Sequence, residues 1–220
     1  LKSHFGPGNL CESPVWPTAK GTMESSGVAQ QVAGDWVATR CPVAKDDVPE
    51  WALDAPRTKL GDSLPLGPPC EVFDEAGKHT GQLDAATCGG RLTVLCLFDP
   101  GCCICKRFAL PRLELLWAKN KTNPQCAVVA IGRGCDFDSL RGFREECQRA
   151  EQAGDRHIRT LTLPMAPDHD AQIFSHFAEA IVPRFYLLGP DATILYQNGG
   201  FEEQEFATLE HCLDQELMYL

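Results

Sequence analysis

The sequence lacks several things, and each absence excludes a class of function. No stretch approaches the ~20 consecutive apolar residues needed to span a bilayer. The two longest apolar runs, 92–98 and 127–131, are strand-length. Basic charge is scarce: 20 Lys and Arg stand against 30 Asp and Glu, a net charge of −10. That balance argues against nucleic acid or an anionic membrane as the main partner. No glycine-rich phosphate loop and no Ser-His-Asp arrangement is present. The chain starts at Leu1 rather than Met, and its first thirty residues hold no basic stretch followed by an apolar one. A removed targeting peptide is the expectation, with the mature protein in an organelle (chloroplast or mitochondrion) or the secretory route.

Cysteine, by contrast, is abundant: twelve in 220 residues, in a chain that is 44% hydrophobic. This is too few for a disulfide-scaffold miniprotein and too many to be incidental.

Composition changes near residue 60. Residues 1–69 hold nine of the sixteen prolines, seven glycines and three of the four tryptophans, Trp16, Trp36 and Trp51. Residues 1–60 are therefore expected to form an irregular arm. Its tryptophans either pack on the protein's own domain or dock into a partner, since Trp is enriched at binding hot spots. From 61 onward the pattern is regular. Glu71–Asp74 and His79–Leu83 flank Glu75-Ala76-Gly77-Lys78, a hairpin signal. Leu92–Phe98 is a continuous apolar run, the mark of a strand buried on both faces. A helix is expected from about Cys103 to Lys119, with Phe108, Leu113, Leu116 and Trp117 in the core and an interruption at Pro111. Further expectations are a strand at Cys126–Gly132, a helix carrying Phe137, Leu140, Phe143 and Cys147, a strand at Ile158–Leu163 and a helix at Asp170–Ala180. A strand pair, Arg184–Leu188 and Thr193–Tyr196, then precedes a closing helix at Glu203–Leu217. Alternation of this kind gives an α/β fold around a mixed sheet.

The densest chemistry is Gly101-Cys102-Cys103-Ile104-Cys105-Lys106. A C-x-x-C pair alone is weak here, because twelve cysteines produce about 0.6 such pairs by chance. Its position raises its value. It follows a buried strand and opens a helix, whose partial positive charge and unpaired N–H groups lower a thiol's pKa. Cys102 is then the expected nucleophile, and Cys105, one turn on, the expected resolving thiol. Cys103 competes as a resolving thiol or protects the site as a mixed disulfide. A proline at the mouth of an apolar strand, Pro183, is anomalous unless the Val182–Pro183 bond is cis.

Taken together, the hairpin at 71–83, the Cys102–Cys105 motif opening a helix, and Pro183 followed by Arg184-Phe185-Tyr186-Leu187-Leu188-Gly189-Pro190-Asp191 resemble the thioredoxin-like superfamily. The nearest branches are the TlpA, tryparedoxin and nucleoredoxin types and AhpC/TSA-related proteins. The resemblance covers residues 61–220. It implies a thioredoxin-like domain with a central mixed sheet flanked by helices and an N-terminal β-hairpin. The separation of 78 residues from Cys105 to Pro183 further implies an extra strand–helix insertion. As activity it implies thiol–disulfide exchange on protein disulfides, reset by a reductase or external thiols and needing no cofactor beyond the dithiol. Gly101, Ile104, Val182 and Pro183 would line the substrate groove. The chain departs from the family pattern at four points. Cys96 stands where thioredoxin has a buried acid, Gly101 replaces an aromatic, Cys103-Ile104 replaces Gly-Pro, and Pro111 falls one position late. A peroxiredoxin loop would need a cysteine seven residues after Pro100, where Arg107 stands. The alternative reading is an accessory subunit of a larger organellar assembly, docked through residues 1–60. A metal site is disfavoured, because no second C-x-x-C accompanies the first. Cys96, Cys126 and Cys212 read as core residues, whereas Cys11, Cys41, Cys70 and Cys88 could form structural disulfides in an oxidising compartment.

Overall fold

The computed structural model describes residues 57–63, 70–83 and 91–220. Nearly all of the expected arm, with Trp16, Trp36 and Trp51, lies outside the described residues, as do Cys11, Cys41 and Cys88.

Seven strands form one mixed sheet. They are β1 (Cys70–Phe73), β2 (His79–Leu83), β3 (Leu92–Phe98), β4 (Cys126–Arg133), β5 (Met165–Asp168), β6 (Arg184–Leu188) and β7 (Ile194–Gly199), in the spatial order β2-β1-β5-β4-β3-β6-β7. Central β3 runs parallel to β4 and antiparallel to β6. Every residue of β3 is buried, and the period-two alternation of a strand divides them between two cores. Leu92, Val94, Cys96 and Phe98 join one face, Leu95 and Leu97 the other. The first face is covered by α1 (Leu110–Asn120), α2 (Phe137–Gln152) and α4 (Glu203–Leu217), through side chains such as Leu113, Phe143 and Phe206. The second is covered by α3 (Gln172–Phe177), through Ile173, Phe174 and Phe177.

The expected hairpin closes on Gly77, whose φ of 74° is left-handed. Asp74 accepts the amides of Ala76 and Lys78 and so fixes the turn. At the start of α2, the Asp136 carboxylate accepts the Ser139 amide at 2.7 Å and caps the helix.

The sequence expectations need four corrections. Residues 158–163 form no strand; the third parallel strand is β5, further along. Their backbone is taken by side chains from elsewhere. Glu114 accepts the amides of Thr162 and Leu163 at 2.8 and 3.0 Å, and Arg144 donates to the carbonyls of Leu161 and Leu163 at 2.9 and 2.7 Å. The expected helix at 170–180 shortens to α3. Ala171 is left-handed, and the Asp168 carboxylate caps the helix by accepting the amides of Ile173 and Phe174. The last strand is β7, which runs on to Gly199 rather than stopping at Tyr196. Phe108 is not in the core: 46% exposed, it lies against Phe201 with ring centroids 6.3 Å apart.

Pro111 interrupts its helix in a defined way. Residues Cys105–Ala109 form a π-helical turn, in which the Leu110 amide donates to the Cys105 carbonyl five residues back. In a regular α-helix the proline ring would collide with the carbonyl four residues earlier, and the wider turn separates the two. At the other end of the chain segment, residues 57–63 are bound to the domain. Arg57 N–H donates to the Phe177 carbonyl at 2.8 Å, and Ser63 bridges Thr193. Among the described residues, no helix is long and apolar enough to cross a membrane.

Candidate active site

The C-terminal end of β3 turns directly into the motif. Asp99 builds that turn: its carboxylate accepts the Gly101 amide at 2.8 Å, and its carbonyl accepts the Cys102 amide at 2.9 Å. A side chain at position 101 would meet the Asp99 carboxylate at 3.2 Å, which favours glycine there.

Helical structure begins at Cys103, so Cys102 occupies the N-cap position. Its sulfur takes the part that a Ser or Asp oxygen plays in an ordinary cap. The Cys105 amide points at Cys102 Sγ from 3.2 Å. Cys102 is half-buried, while Cys105 is fully buried at 0% exposure. The two thiols are accordingly polarised. A hydrogen bond from the Cys105 thiol is the main influence lowering Cys102; burial opposes it, the amides of Cys105 and Ile104 assist, and the Asp99 carboxylate pushes upward. The net effect brings Cys102 down to about 6, so it is mostly thiolate at neutral pH. Cys105 moves far above the ordinary thiol range, because its proton is held against the Cys102 sulfur and because it is buried.

The other cysteines behave differently. Burial raises Cys126, Cys135 and Cys147 to about 11 and Cys70 to about 12. Cys96 is fully buried and pushed up as well. Cys126 is likewise a core residue, and Cys212 packs against the same core while half-buried. None of the nine described cysteines is in a disulfide, including Cys70.

Pro183 reaches the site from the antiparallel neighbour. Because Leu97 of β3 pairs with Arg184 of β6, the residues preceding β6 lie beside the end of β3. The Val182–Pro183 peptide is cis. The Val182 carbonyl stands 4.0 Å from Cys102 Sγ, and the Pro183 carbonyl accepts the Gly200 amide at 2.8 Å. Cys102, Val182, Pro183 and Gly200 are thus brought together at one end of the sheet. Gly101 is exposed there, Cys103 is exposed on the first turn, and Ile104 is 49% exposed beside them.

One participant is not visible in the motif. Phe98 pairs with Gly132 across parallel β3 and β4, so the next residues, Asp99 and Arg133, emerge side by side. Arg133 Nη2 donates to Asp99 Oδ2 at 3.0 Å. The available signal was a pair of apolar runs of similar length, each ending in a charge of opposite sign. A groove of about 750 Å³ opens beside this pair, lined in part by Pro100, Cys135 and Phe174. Among the described residues, no cluster of three or more His, Cys, Asp or Glu side chains is placed to hold a metal ion.

No protein-family model matches the sequence, and no curated protein matches it. Solved structures do resemble it. A candidate protein disulfide isomerase from Bacteroides thetaiotaomicron superposes with a TM-score of 0.59 at 23% identity, covering 75% of this chain and 94% of its own. A candidate thiol:disulfide interchange protein DsbE from Chlorobium tepidum gives 0.51 at 19% identity, covering 72% and 98%. AhpC from Enterococcus faecalis gives 0.52 at 13% identity, covering 72% and 92%.

Proposed function

With a thioredoxin-like fold as its frame, we propose that this protein is a thiol–disulfide oxidoreductase acting on protein disulfides through Cys102 and Cys105. The observation that carries the reading is the polarised pair: a half-exposed sulfur held near a pKa of 6 at a helix start, above a fully buried thiol that keeps its proton. Structural cysteines in this chain are pushed the other way by burial. The descriptions of two structural neighbours, a disulfide isomerase and a thiol:disulfide interchange protein, support the same reading.

The reaction proceeds in two exchanges. Cys102 thiolate attacks one sulfur of a substrate disulfide, forming a mixed disulfide and releasing the other substrate sulfur as a thiolate, which takes up a proton. Once Cys102 is no longer an anion, the Cys105 thiol gives up its proton and attacks Cys102 Sγ. That closes the Cys102–Cys105 disulfide and expels the second substrate thiol. The substrate gains two electrons and two protons: both electrons and one proton come from the Cys102 thiolate–Cys105 thiol pair, the second proton comes from solvent, and an external dithiol restores the pair. Val182, Pro183, Ile104 and Gly101 form the contact surface for the substrate chain around the attacking sulfur. Cys103, exposed one residue from Cys102, is the accessory thiol that intercepts a stalled mixed disulfide.

The test is dithiothreitol-driven reduction of insulin. The protein should accelerate it, C102A should abolish the acceleration, and C105A should accumulate a mixed disulfide through Cys102. A rate no higher than that of the C102A/C105A double variant would overturn the assignment.

A further inference from the structure

The residues before β6 cross the ends of β3 and β4 on their way to Pro183, and a single side chain is bonded to both loops that flank Cys102. Arg133 Nη2 donates to Asp99 Oδ2 at 3.0 Å, and Arg133 Nη1 donates to the Ala180 carbonyl at 2.7 Å. Its guanidinium also lies over the Phe174 ring, 4.7 Å from the centroid, which fixes its plane. Asp99 begins the turn that delivers Cys102, and Ala180 stands two residues before Val182. We infer that Arg133 is a positioning residue, a clamp that sets the spacing between the nucleophile loop and the Val182–Pro183 loop and at the same time neutralises Asp99 beside the reactive sulfur.

Two physical arguments support this. The first is geometric. A planar guanidinium offers several N–H donors in a fixed fork, so one side chain can hold a carboxylate and a carbonyl at once; a lysine ammonium is a point charge without that fork. The gap between Cys102 Sγ and the Val182 carbonyl, 4.0 Å, lies between the two loops that Arg133 joins. The second argument is electrostatic. Asp99 is the charged side chain that pushes the Cys102 thiol upward, and Arg133 is ion-paired with it while both are about two-thirds shielded from solvent. The Arg57–Glu179 ion pair lines the same groove, the Asp136 and Asp168 carboxylates act with Asp99 on Cys135, and the remaining titratable neighbours are the thiols Cys105, Cys96 and Cys135. Arg133 is the cation in direct contact with Asp99. Without it, an uncompensated carboxylate would sit three residues before the nucleophile.

The inference rests on the function proposed above for Cys102, and its test separates the two. Two quantities are measured: the pH midpoint for iodoacetamide alkylation of Cys102, with Cys103 resolved by peptide mapping, and KM for insulin. R133A should raise the midpoint by about half a pH unit or more and raise KM several-fold. R133K keeps the charge but not the fork, so it should restore most of the midpoint and little of the KM. R133A/D99N should return the midpoint to the wild-type value or below while KM stays high. A merely structural role would not be corrected by removing a second charge. If R133A fails to fold, R133K and D99N alone carry the test, with D99N lowering the midpoint. An unchanged midpoint and KM in R133A, or no correction by D99N, would overturn the inference. Should the wild-type protein reduce no disulfide at all, the oxidoreductase assignment fails, and the alkylation midpoints still decide whether Arg133 governs the thiol.

Discussion

The Cys105 amide stands 3.2 Å from Cys102 Sγ, so that sulfur is the cap of its own helix. Forming the thiolate strengthens the cap, because an anion accepts a backbone N–H better than a neutral thiol does. Helix initiation and thiolate stabilisation are one interaction here, and the predictions below begin from it.

The reactivity of Cys102 should follow a thiolate with a midpoint near pH 6, against 9.0 for an ordinary thiol. Alkylation should therefore be nearly flat above pH 7 and fall off below 6. C105A removes the main donor and leaves only the amides, so its midpoint should rise by about one pH unit or more. Iodoacetamide kinetics across pH 4–9 measure both.

The same polarisation makes stability depend on redox state and pH. Cys102 is depressed in the fold, so between about 6 and 9 the unfolded chain binds more protons than the folded one, and the reduced protein gains stability as pH rises. That gain is lost as pH falls through 6. Cys105 is raised, so above 9 it acts in the opposite direction, and stability falls again. The oxidised protein lacks both thiols and should lose the rise between pH 6 and 9, while above 9 the buried Cys70, Cys96, Cys126, Cys135 and Cys147, raised by burial, still lower its stability. Urea midpoints of the two forms, compared between pH 5 and 10, check the expectation.

Glu114 is a buried carboxylate that satisfies two backbone amides and the Thr162 hydroxyl. Its replacement by alanine strands those donors and removes the strongest of the three carboxylate influences on Arg144, Glu75 and Asp74 remaining, at a cost of about 2–4 kcal/mol. Alkylation of Cys102 should be unaffected in the folded variant. Urea unfolding followed by circular dichroism reports the loss.

Phe108, in the π-helical turn, and Leu113, in α1, lie five residues apart and differ in what surrounds them. Leu113 is fully buried against the sheet, so Leu113→Ala should cost about 2–5 kcal/mol. Phe108 is half exposed and touches Phe201 and His157 at the surface, so Phe108→Ala should cost under about 1 kcal/mol. Equal losses would contradict the placement of Phe108.

Much of this architecture was legible in local pattern. The uninterrupted apolar run 92–98 could only be a strand covered on both faces, and the closing helix appears at Glu203–Leu217 with Phe206, Leu209 and Leu213 inward. The motif's place at a strand–helix junction was equally visible, since it depends on neighbours within a few residues. Phe108 was misplaced because the π-helical turn ahead of Pro111 shifts the phase of the helix, and a fixed 3.6-residue period does not see the shift.

The sequence by itself determined which segments must be buried, where the helix carrying the thiols begins, and which proline stands at the mouth of β6. Each of these follows from short-range sterics and from the spacing of apolar side chains. Tertiary structure alone decided that 158–163 would not be a strand, because its ladder positions were claimed by Glu114 and Arg144 from about 48 and 17 residues away. It alone decided that Cys105 would be buried beneath Cys102, which turns two similar thiols into an anion and its proton donor. The clamp of Arg133 on Asp99 and Ala180 belongs to the same category. Only sheet register brings together groups 34 and 47 residues apart, and no periodicity within either segment encodes their meeting.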